Sequence, residues 1–207
     1  YARNLGFGNI TGVDLPFEKS GVVPDRELFE EWTITKPELV RPEGWLGGDL
    51  MNLIVGQGAI TTTPIQVANA YKTLLTGYSS APYLDKNIEQ LQKIKDFNID
   101  QEFIEFLLND LNLVTNKNGT AYLAFEVLGK KANDIGGKTG TAQNPGNRNS
   151  TSWFAGIDSV SNPRYVIVTV VDEGGSGSAV AAPISRRVIQ HLIGEELTPV
   201  KFGEITE

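Results

Sequence analysis

The sequence predicts an α+β fold in which an antiparallel sheet is covered by helices. Three strand-like segments near the C-terminus are joined by short polar connections, which predicts an antiparallel meander. Segments with helical periodicity precede and follow them, and a helix after such a meander packs across the sheet. The chain shows no internal repeat and no low-complexity linker.

The first segment, residues 1–62, is expected to be irregular chain with short elements, because residues 1–49 are rich in glycine and proline. The tripeptide Gly56-Gln57-Gly58 predicts a tight turn with close packing. The longest uncharged run, Leu50–Tyr71, includes amide side chains, threonines and Pro64, so it is not expected to span a membrane.

The second segment, residues 63–135, is predicted to be helical. Its first helix begins with Thr63-Pro64-Ile65-Gln66, in which a threonine N-cap, a proline at the first helical position and a glutamine at the third form a capping-box pattern. Gly77 is the expected stop. A second helix is predicted over Asp100–Leu113, and a third, shorter one after Gly119-Thr120.

The third segment, residues 136–194, combines the meander with a terminal helix, and residues 195–207 form a tail. Trp153 and Phe154 are both expected in the core. The predicted elements are strands over Gly140–Gln143, Ser152–Ile157 and Tyr165–Val171, a loop over Gly174–Ser178, and an amphipathic helix over Pro183–Ile193.

Composition excludes several kinds of chemistry. The 207 residues contain no cysteine and one histidine, so thiol nucleophiles, disulfides and metal sites that need thiolates or several histidines are not expected, nor is any cofactor. A serine triad would have to use His191. The net charge of −7 and the absence of a basic block argue against nucleic acid as a partner.

The sharpest local motif is Gly136-Gly137-Lys138-Thr139-Gly140-Thr141. A phosphate-binding P-loop would need a glycine at position 132, where the chain has Ala132, together with a buried strand before the loop and a helix after it. The flanking sequence favours neither that strand nor that helix. The alternative is an exposed strand at a cleft edge, where Gly140 lets a substrate backbone approach and Lys138 with the hydroxyls of Thr139 and Thr141 holds a carboxylate.

The motif Lys138-Thr139-Gly140 also occurs in serine β-lactamases and penicillin-binding proteins. Over Tyr1 to about Gly194 the chain resembles the C-terminal part of a class B penicillin-binding transpeptidase domain, and the Ile-Val-Gly-Gln-Gly form resembles the elongation-type members. The resemblance rests on stretches that occur in the family's order: Thr11-Gly12-Val13-Asp14-Leu15-Pro16, Gly48-Asp49-Leu50-Met51-Asn52, Ile54-Val55-Gly56-Gln57-Gly58, Thr63-Pro64-Ile65-Gln66, Gly119-Thr120-Ala121, Gly137-Lys138-Thr139-Gly140-Thr141-Ala142-Gln143, Trp153-Phe154-Ala155-Gly156 and Ala181-Ala182-Pro183-Ile184.

One departure from the family is important. The family's nucleophilic Ser-x-x-Lys and its Ser-x-Asn motif are both missing, since no serine here is followed by lysine three positions on or by asparagine two positions on. Because both motifs precede the matching region in the family, we expect this chain to be a fragment that is inactive alone. An inactive relative is the alternative.

The resemblance implies a role for each residue of the motif. Lys138 and Thr139 would bind the carboxylate of a peptidoglycan stem peptide or a β-lactam, and Gly140 would be the position of close approach. The backbone N–H of Thr141 would be one donor of the oxyanion hole, an interaction worth about 3 kcal/mol of barrier. Lys138 would also shape the potential around the serine.

The resemblance further implies a peptidoglycan D,D-transpeptidase that β-lactams inhibit. It would lie on the extracytoplasmic face of the bacterial cytoplasmic membrane, anchored by an upstream segment. Its partners would be the N-terminal part of the same domain and a glycosyltransferase of the cell-wall machinery. A serine β-lactamase-like hydrolase and a non-catalytic penicillin-binding-like module are the alternatives.

Overall fold

A three-stranded antiparallel sheet organises the C-terminal third of the chain in the computed structural model, which describes residues 1–85, 87 and 93–200. Its strands are β3 (Gly136–Ala142), β4 (Thr151–Ile157) and β5 (Val166–Val171), in the order β3-β4-β5. The predicted α+β class and the meander are confirmed. The first strand begins at Gly136 rather than Gly140, because pairing along β4 holds a glycine-rich stretch of low strand propensity extended.

One face of the sheet carries the apolar core. The terminal helix α6 (Ala182–Leu192) packs across β4 and β5, as predicted, and its Ile189 is fully buried. Phe154 of β4 stacks obliquely on Phe125, with 5.5 Å between the ring centroids. The chain enters α6 through a π-helical turn over Gly177–Ala181, which corrects the predicted loop over Gly174–Ser178.

The opposite face of the sheet is covered by helix α3 (Pro64–Thr76). The predicted capping box is confirmed: Thr63 Oγ accepts from the N–H of Gln66, and the Gln66 side chain accepts from the N–H of Thr63. Gly77 ends the helix in the left-handed conformation, with a φ of 77°. The Tyr71 hydroxyl donates to the Ala155 carbonyl of β4, and burial raises the pKa of Tyr71 to about 12.

Helix α4 (Gln101–Thr115) closes one end of the sheet, with Asp100 as its N-cap. Asn112 and Thr115 both donate to the Ile135 carbonyl, at 2.8 and 2.6 Å, and so fix the entry into β3. The short helix α5 (Tyr122–Phe125) follows, as predicted after Gly119-Thr120, and then 3₁₀ turns over Glu126–Asp134. A small hairpin pairs β1 (Tyr78–Ser80) with β2 (Lys93–Asp96).

Residues 1–62 contain more helix than their composition predicts. A 3₁₀ turn covers Ala2–Leu5, α1 spans Arg26–Thr35 and α2 spans Gly47–Ile54. The prediction of irregular chain missed both α-helices because α1 ends in the β-branched run Thr33-Ile34-Thr35 and α2 starts with two glycines. No helix in the described part of the chain is both long and apolar enough to cross a bilayer.

Candidate functional site

Strand β3 presents one unpaired edge, since among the described residues its strand neighbour is β4 alone. In an extended strand the N–H and C=O of one residue point to the same side, and this side alternates along the chain. The carbonyls of Thr139 and Thr141 each accept a side-chain bond from outside the sheet, at 2.9 and 3.1 Å. The unpaired edge therefore carries the backbone groups of Thr139, Thr141 and Gln143, including the Thr141 N–H.

The two residues that precede Gly140 bring a positive charge and a hydroxyl to this edge. Lys138 is exposed, and its ammonium group donates to the Thr139 carbonyl, so the charge lies at the edge itself. The Thr139 hydroxyl lies 2.9 Å from the hydroxyl of Thr120, which precedes α5. Thr120 thus supports Thr139 from outside the motif.

The side chain of Thr141 is held from the core side of the sheet. Its hydroxyl accepts from the Gly177 N–H at 3.1 Å, and the neighbouring Ser152 hydroxyl donates to the Ser176 carbonyl and accepts from the Ala181 N–H. A Cβ on residue 177 would overlap the backbone oxygens of Gly140 and of Trp153 on β4. The π-helical turn can therefore sit against the β3–β4 pair only with glycine at its start.

The other face of the same pair borders a cleft of about 520 Å³. Gly140 lies opposite Trp153 on β4, and Trp153 is half-buried there, so the prediction that it belongs to the core is wrong. Alternation along β4 sends Phe154 into the core and turns Trp153 into the cleft. The rest of the lining comes from residues 55–67 and the N-terminal turn, including Ala2, Phe7, Gln57, Ile60 and Val67.

Gln57 is a contributor that sequence reasoning treated only as part of a turn. The turn is present, with φ values of 76° at Gly56 and 79° at Gly58. The Gln57 side chain donates to the Thr141 carbonyl at 3.1 Å and accepts from the Gln143 N–H at 3.3 Å. The pattern in the sequence that could have indicated this role is a carboxamide between two glycines, because glycines allow the backbone to adopt the turn that orients the side chain.

The arrangement can bind an extended, anionic ligand. An unpaired strand edge offers main-chain donors and acceptors in the register of β-augmentation, and the ammonium of Lys138 lies on the same edge. The extended backbone of β3 excludes the P-loop geometry, which requires a helix directly after the loop. The four predicted positions, Lys138, Thr139, Gly140 and Thr141, lie consecutively on this one strand.

Comparison with known proteins gives a consistent family. The penicillin binding protein transpeptidase domain matches residues 1–190. The peptidoglycan D,D-transpeptidase MrdA of Haemophilus influenzae is 28% identical over 97% of this chain and 33% of its own length. MrdA of Escherichia coli K12 is 28% identical over 91% of this chain and 32% of its own length. The chain thus spans about a third of the length of these curated relatives.

Solved structures agree with the sequence relatives. PBP2 of Pseudomonas aeruginosa superimposes with a TM-score of 0.74 and 26% identity, covering 97% of this chain and 44% of that one. PBP2 of Helicobacter pylori, in a complex with MreC, superimposes with a TM-score of 0.70 and 27% identity, covering 93% and 34%. The predicted fold family is therefore confirmed.

Proposed function

This chain belongs to the penicillin-binding protein transpeptidase family, and we propose that it supplies the substrate-binding edge of a peptidoglycan D,D-transpeptidase of the elongation type. The observation that carries the proposal is the unpaired edge of β3, which presents the Lys138 ammonium and the Thr141 backbone, with Gly140 and Thr141 lining the adjacent cleft. The family match and the shared fold supply the reaction class.

In the proposed reaction, the serine hydroxyl of a Ser-x-x-Lys motif outside this sequence attacks the carbonyl of a D-Ala-D-Ala bond. The lysine of that motif takes the hydroxyl proton and passes it to the departing nitrogen, so that the C–N bond breaks and D-alanine leaves as the amine. An amine of a neighbouring stem peptide then attacks the acyl-enzyme, the ester bond to the serine breaks as the new amide bond forms, and the proton lost by the amine returns to the serine oxygen. A β-lactam ring opens in the first step and leaves a stable acyl-enzyme.

The residues of this chain bind the substrate and stabilise charge in that reaction. Lys138 attracts the terminal carboxylate of the stem peptide or the β-lactam, and the Thr139 hydroxyl binds the same group. Gly140, which bears no side chain, lets the substrate backbone approach the strand. The N–H of Thr141 donates to the oxyanion that forms when the serine attacks, and such donors act best when they are fixed in advance.

Two apolar faces support the idea that the chain works as part of a larger domain. Leu50, Met51 and Ile54 of α2 are exposed by 49, 66 and 70%, and Phe106 of α4 by 61%. Large apolar side chains exposed together on one helix, as on α2, are typical of an interface. We propose that the remainder of the transpeptidase domain, including the nucleophile, packs against these faces.

We further propose an extracytoplasmic location, because that is where peptidoglycan stem peptides are cross-linked. The membrane anchor would lie outside this sequence. The solved complex of the Helicobacter pylori relative contains MreC. A protein of that kind and a cell-wall glycosyltransferase are the partners that we propose for this protein.

The test is acylation by a fluorescent penicillin, followed by gel fluorescence. The 207-residue chain alone is expected to form no adduct, whereas the complete transpeptidase domain that contains it is expected to form one. Lys138→Ala in that domain should lower the second-order acylation rate about tenfold to hundredfold, because a charge-assisted hydrogen bond to the carboxylate is lost. Lys130→Ala, which removes an exposed lysine away from the edge, is the matched control.

Each competing function gives a different result. A complete domain that is never labelled would contradict the proposal and favour a non-catalytic module. An adduct that hydrolyses within seconds would favour a β-lactamase-like hydrolase. Labelling of the isolated chain would show that the nucleophile lies within these 207 residues.

A further inference from the structure

The side chain of Gln57 pairs with the unpaired edge of β3 as a neighbouring strand would. Its carboxamide donates to the carbonyl of Thr141 and accepts from the N–H of Gln143, two residues further along the same edge. A residue of a parallel strand makes this pair of bonds with its own N–H and C=O. The carboxamide therefore takes the place of the N–H and C=O of one residue of a neighbouring parallel strand.

The turn that carries Gln57 is held by its own backbone bonds. The N–H of Gln57 donates to the Asn52 carbonyl at 2.8 Å, and the N–H of Gly56 donates to the Leu53 carbonyl at 3.0 Å. Both acceptors belong to α2, so the carboxamide projects from the C-terminal end of that helix. A Cβ on residue 58 would lie only 3.3 Å from the Asn52 Cβ, and the φ of 79° there also favours glycine.

Thr141 is consequently held at two points. Its hydroxyl accepts from the Gly177 N–H on the core side, and its carbonyl accepts from Gln57 at the edge. Because the N–H of a strand residue points to the same side as its C=O, fixing the carbonyl also fixes the direction of the Thr141 N–H.

We propose that Gln57 is a positioning residue for the oxyanion-hole donor of Thr141, an inference that rests on the proposed transpeptidase function. Gln57 touches neither the reacting carbonyl nor the nucleophile. It holds the Thr141 backbone in the orientation in which the N–H meets the developing oxyanion. It also ends the accessible edge, because it occupies the Thr141 carbonyl and the Gln143 N–H, so that a bound peptide can pair only as far as the Thr141 N–H.

The opposite role makes the opposite prediction. If Gln57 merely occupies the place of a substrate amide on the Thr141 carbonyl, substrate must displace it, and its removal should speed acylation. If Gln57 positions Thr141, its removal should slow the acylation step and leave the reversible binding of the β-lactam nearly unchanged, because Lys138 and Thr139 still bind the carboxylate.

The sharpest test compares Gln57→Ala with Gln57→Glu in the complete transpeptidase domain. A neutral glutamic acid reproduces both bonds, since its O–H donates to the Thr141 carbonyl and its C=O accepts from the Gln143 N–H. An ionised carboxylate cannot donate and repels the Thr141 carbonyl. The acylation rate constant of Gln57→Glu, relative to the unsubstituted domain, should be low at pH 8 and rise as the pH falls towards the ordinary glutamic acid pKa of about 4.3.

Gln57→Ala should show no such recovery, and its acylation rate constant should be reduced about threefold to tenfold at every pH, the worth of one or two net hydrogen bonds. Gln101→Ala, which removes an exposed carboxamide on α4, is the control and should behave as the unsubstituted domain. Stopped-flow acylation over a range of β-lactam concentrations separates the rate constant from the dissociation constant.

The outcomes separate this inference from the function on which it rests. An unsubstituted domain that forms no adduct overturns the proposed function. A labelled domain whose Gln57 variants acylate at the unsubstituted rate at every pH overturns the positioning role alone, as does faster acylation by Gln57→Ala. Hydrogen exchange in the 207-residue chain gives a second measurement: the Gln143 amide should be protected and should lose that protection in Gln57→Ala, and rapid exchange in the unsubstituted chain would contradict the contact.

Discussion

The N-terminal and C-terminal parts of this chain differ in what holds them in place. Residues 1–62, called the polar region below, have a small buried aromatic group around Phe29 and Trp32. Their loops are held by side chains that bond to backbone groups: Glu18 accepts from the N–H groups of Thr11 and Gly12, and Gln66 of α3 donates to the Asn9 and Ser20 carbonyls. The C-terminal region is held by an apolar cluster. Its buried members are Ala121, Ala124, Phe125, Ala132, Ile135, Phe154, Ile167, Ala181, Ala182 and Ile189, and none of them comes from residues 1–62.

The two regions meet at the edge of β3, and each contributes a different part of it. The strand that carries Lys138 and Thr141 belongs to the apolar region, where close packing fixes the backbone. The group that contacts its free edge, Gln57, comes from the polar region, where hydrogen bonds fix the loops. Substitutions in the two regions should therefore change the stability of the fold by different amounts, and the stability of the two regions should depend differently on pH.

The largest effect is expected from the apolar cluster. Phe154→Ala should lower the free energy of unfolding of the chain by about 3–5 kcal/mol, because it removes a fully buried ring between Phe125 and α6 and leaves a cavity. Phe106→Ala, on the exposed face of α4, should change it by less than about 0.5 kcal/mol. Urea unfolding followed by circular dichroism measures both, and equal losses would contradict the contrast between core and surface.

A smaller effect is expected in the polar region, at the start of α1. Asp25 caps this helix by accepting from the Leu28 N–H at 2.9 Å, and it also pairs with Arg3. Asp25→Ala should cost about 1 kcal/mol of stability. Asp25→Asn keeps the cap and loses only the exposed ion pair, so it should cost less.

Hydrogen exchange of the Leu28 amide measures this change. The alanine variant should exchange fastest at that position and leave the amides of β4 unaffected. If the asparagine variant lost as much protection as the alanine variant, the ion pair with Arg3 rather than the cap would hold the helix.

The smallest effect on stability is expected from lowering the pH. Hydrogen bonds from the Leu28 and Leu46 N–H groups, with Arg3 and Arg41 nearby, hold the pKa values of Asp25 and Asp49 below their usual range. A carboxyl whose pKa is lower in the folded state stabilises the fold above its unfolded pKa, and this contribution is lost as pH falls through the folded value. Residues 1–62 should therefore loosen before the apolar cluster does, as pH falls below about 4.

Tryptophan fluorescence and hydrogen exchange can follow the two regions separately. Trp32 and Trp45 lie in the polar region beside Phe29, and Trp153 lies on β4. In Trp153→Phe the fluorescence reports the polar region, and its emission should shift at a higher pH than the pH at which the amides of β4 lose their protection from exchange. The pKa of Asp134 is also lowered, so the hairpin after β4 should loosen in the same range, but no member of the apolar cluster ionises. Coincident transitions would contradict separate behaviour.

The sequence was sufficient where local chemistry decides the structure. The capping box at Thr63 and the β-branched strand before Val171 are local patterns, and the structure has both. It was insufficient where long-range pairing decides. Gly136 and Gly137 have little strand propensity and are extended only because β4 lies beside them.

The same limit applies to the site. The four motif positions are adjacent in sequence, so one segment sufficed to place them on one strand. Gln57 is 84 residues from Thr141, and Thr120 is 19 residues from Thr139, so their contacts depend on the assembled fold. Trp153 was misplaced because its neighbour Phe154 is the core residue, and composition alone does not tell which of two adjacent aromatic residues faces inward.

The glycine at position 177 makes the geometry of β3 sensitive to a residue that lies outside the motif. It lies against the back of the strand pair, where even a methyl group would meet the Gly140 and Trp153 backbone oxygens. A substitution there would push on the strand from behind and move the Thr141 backbone without altering any side chain of the motif. If the proposed function holds, a substitution at position 177 would alter acylation while every residue of the motif stays the same.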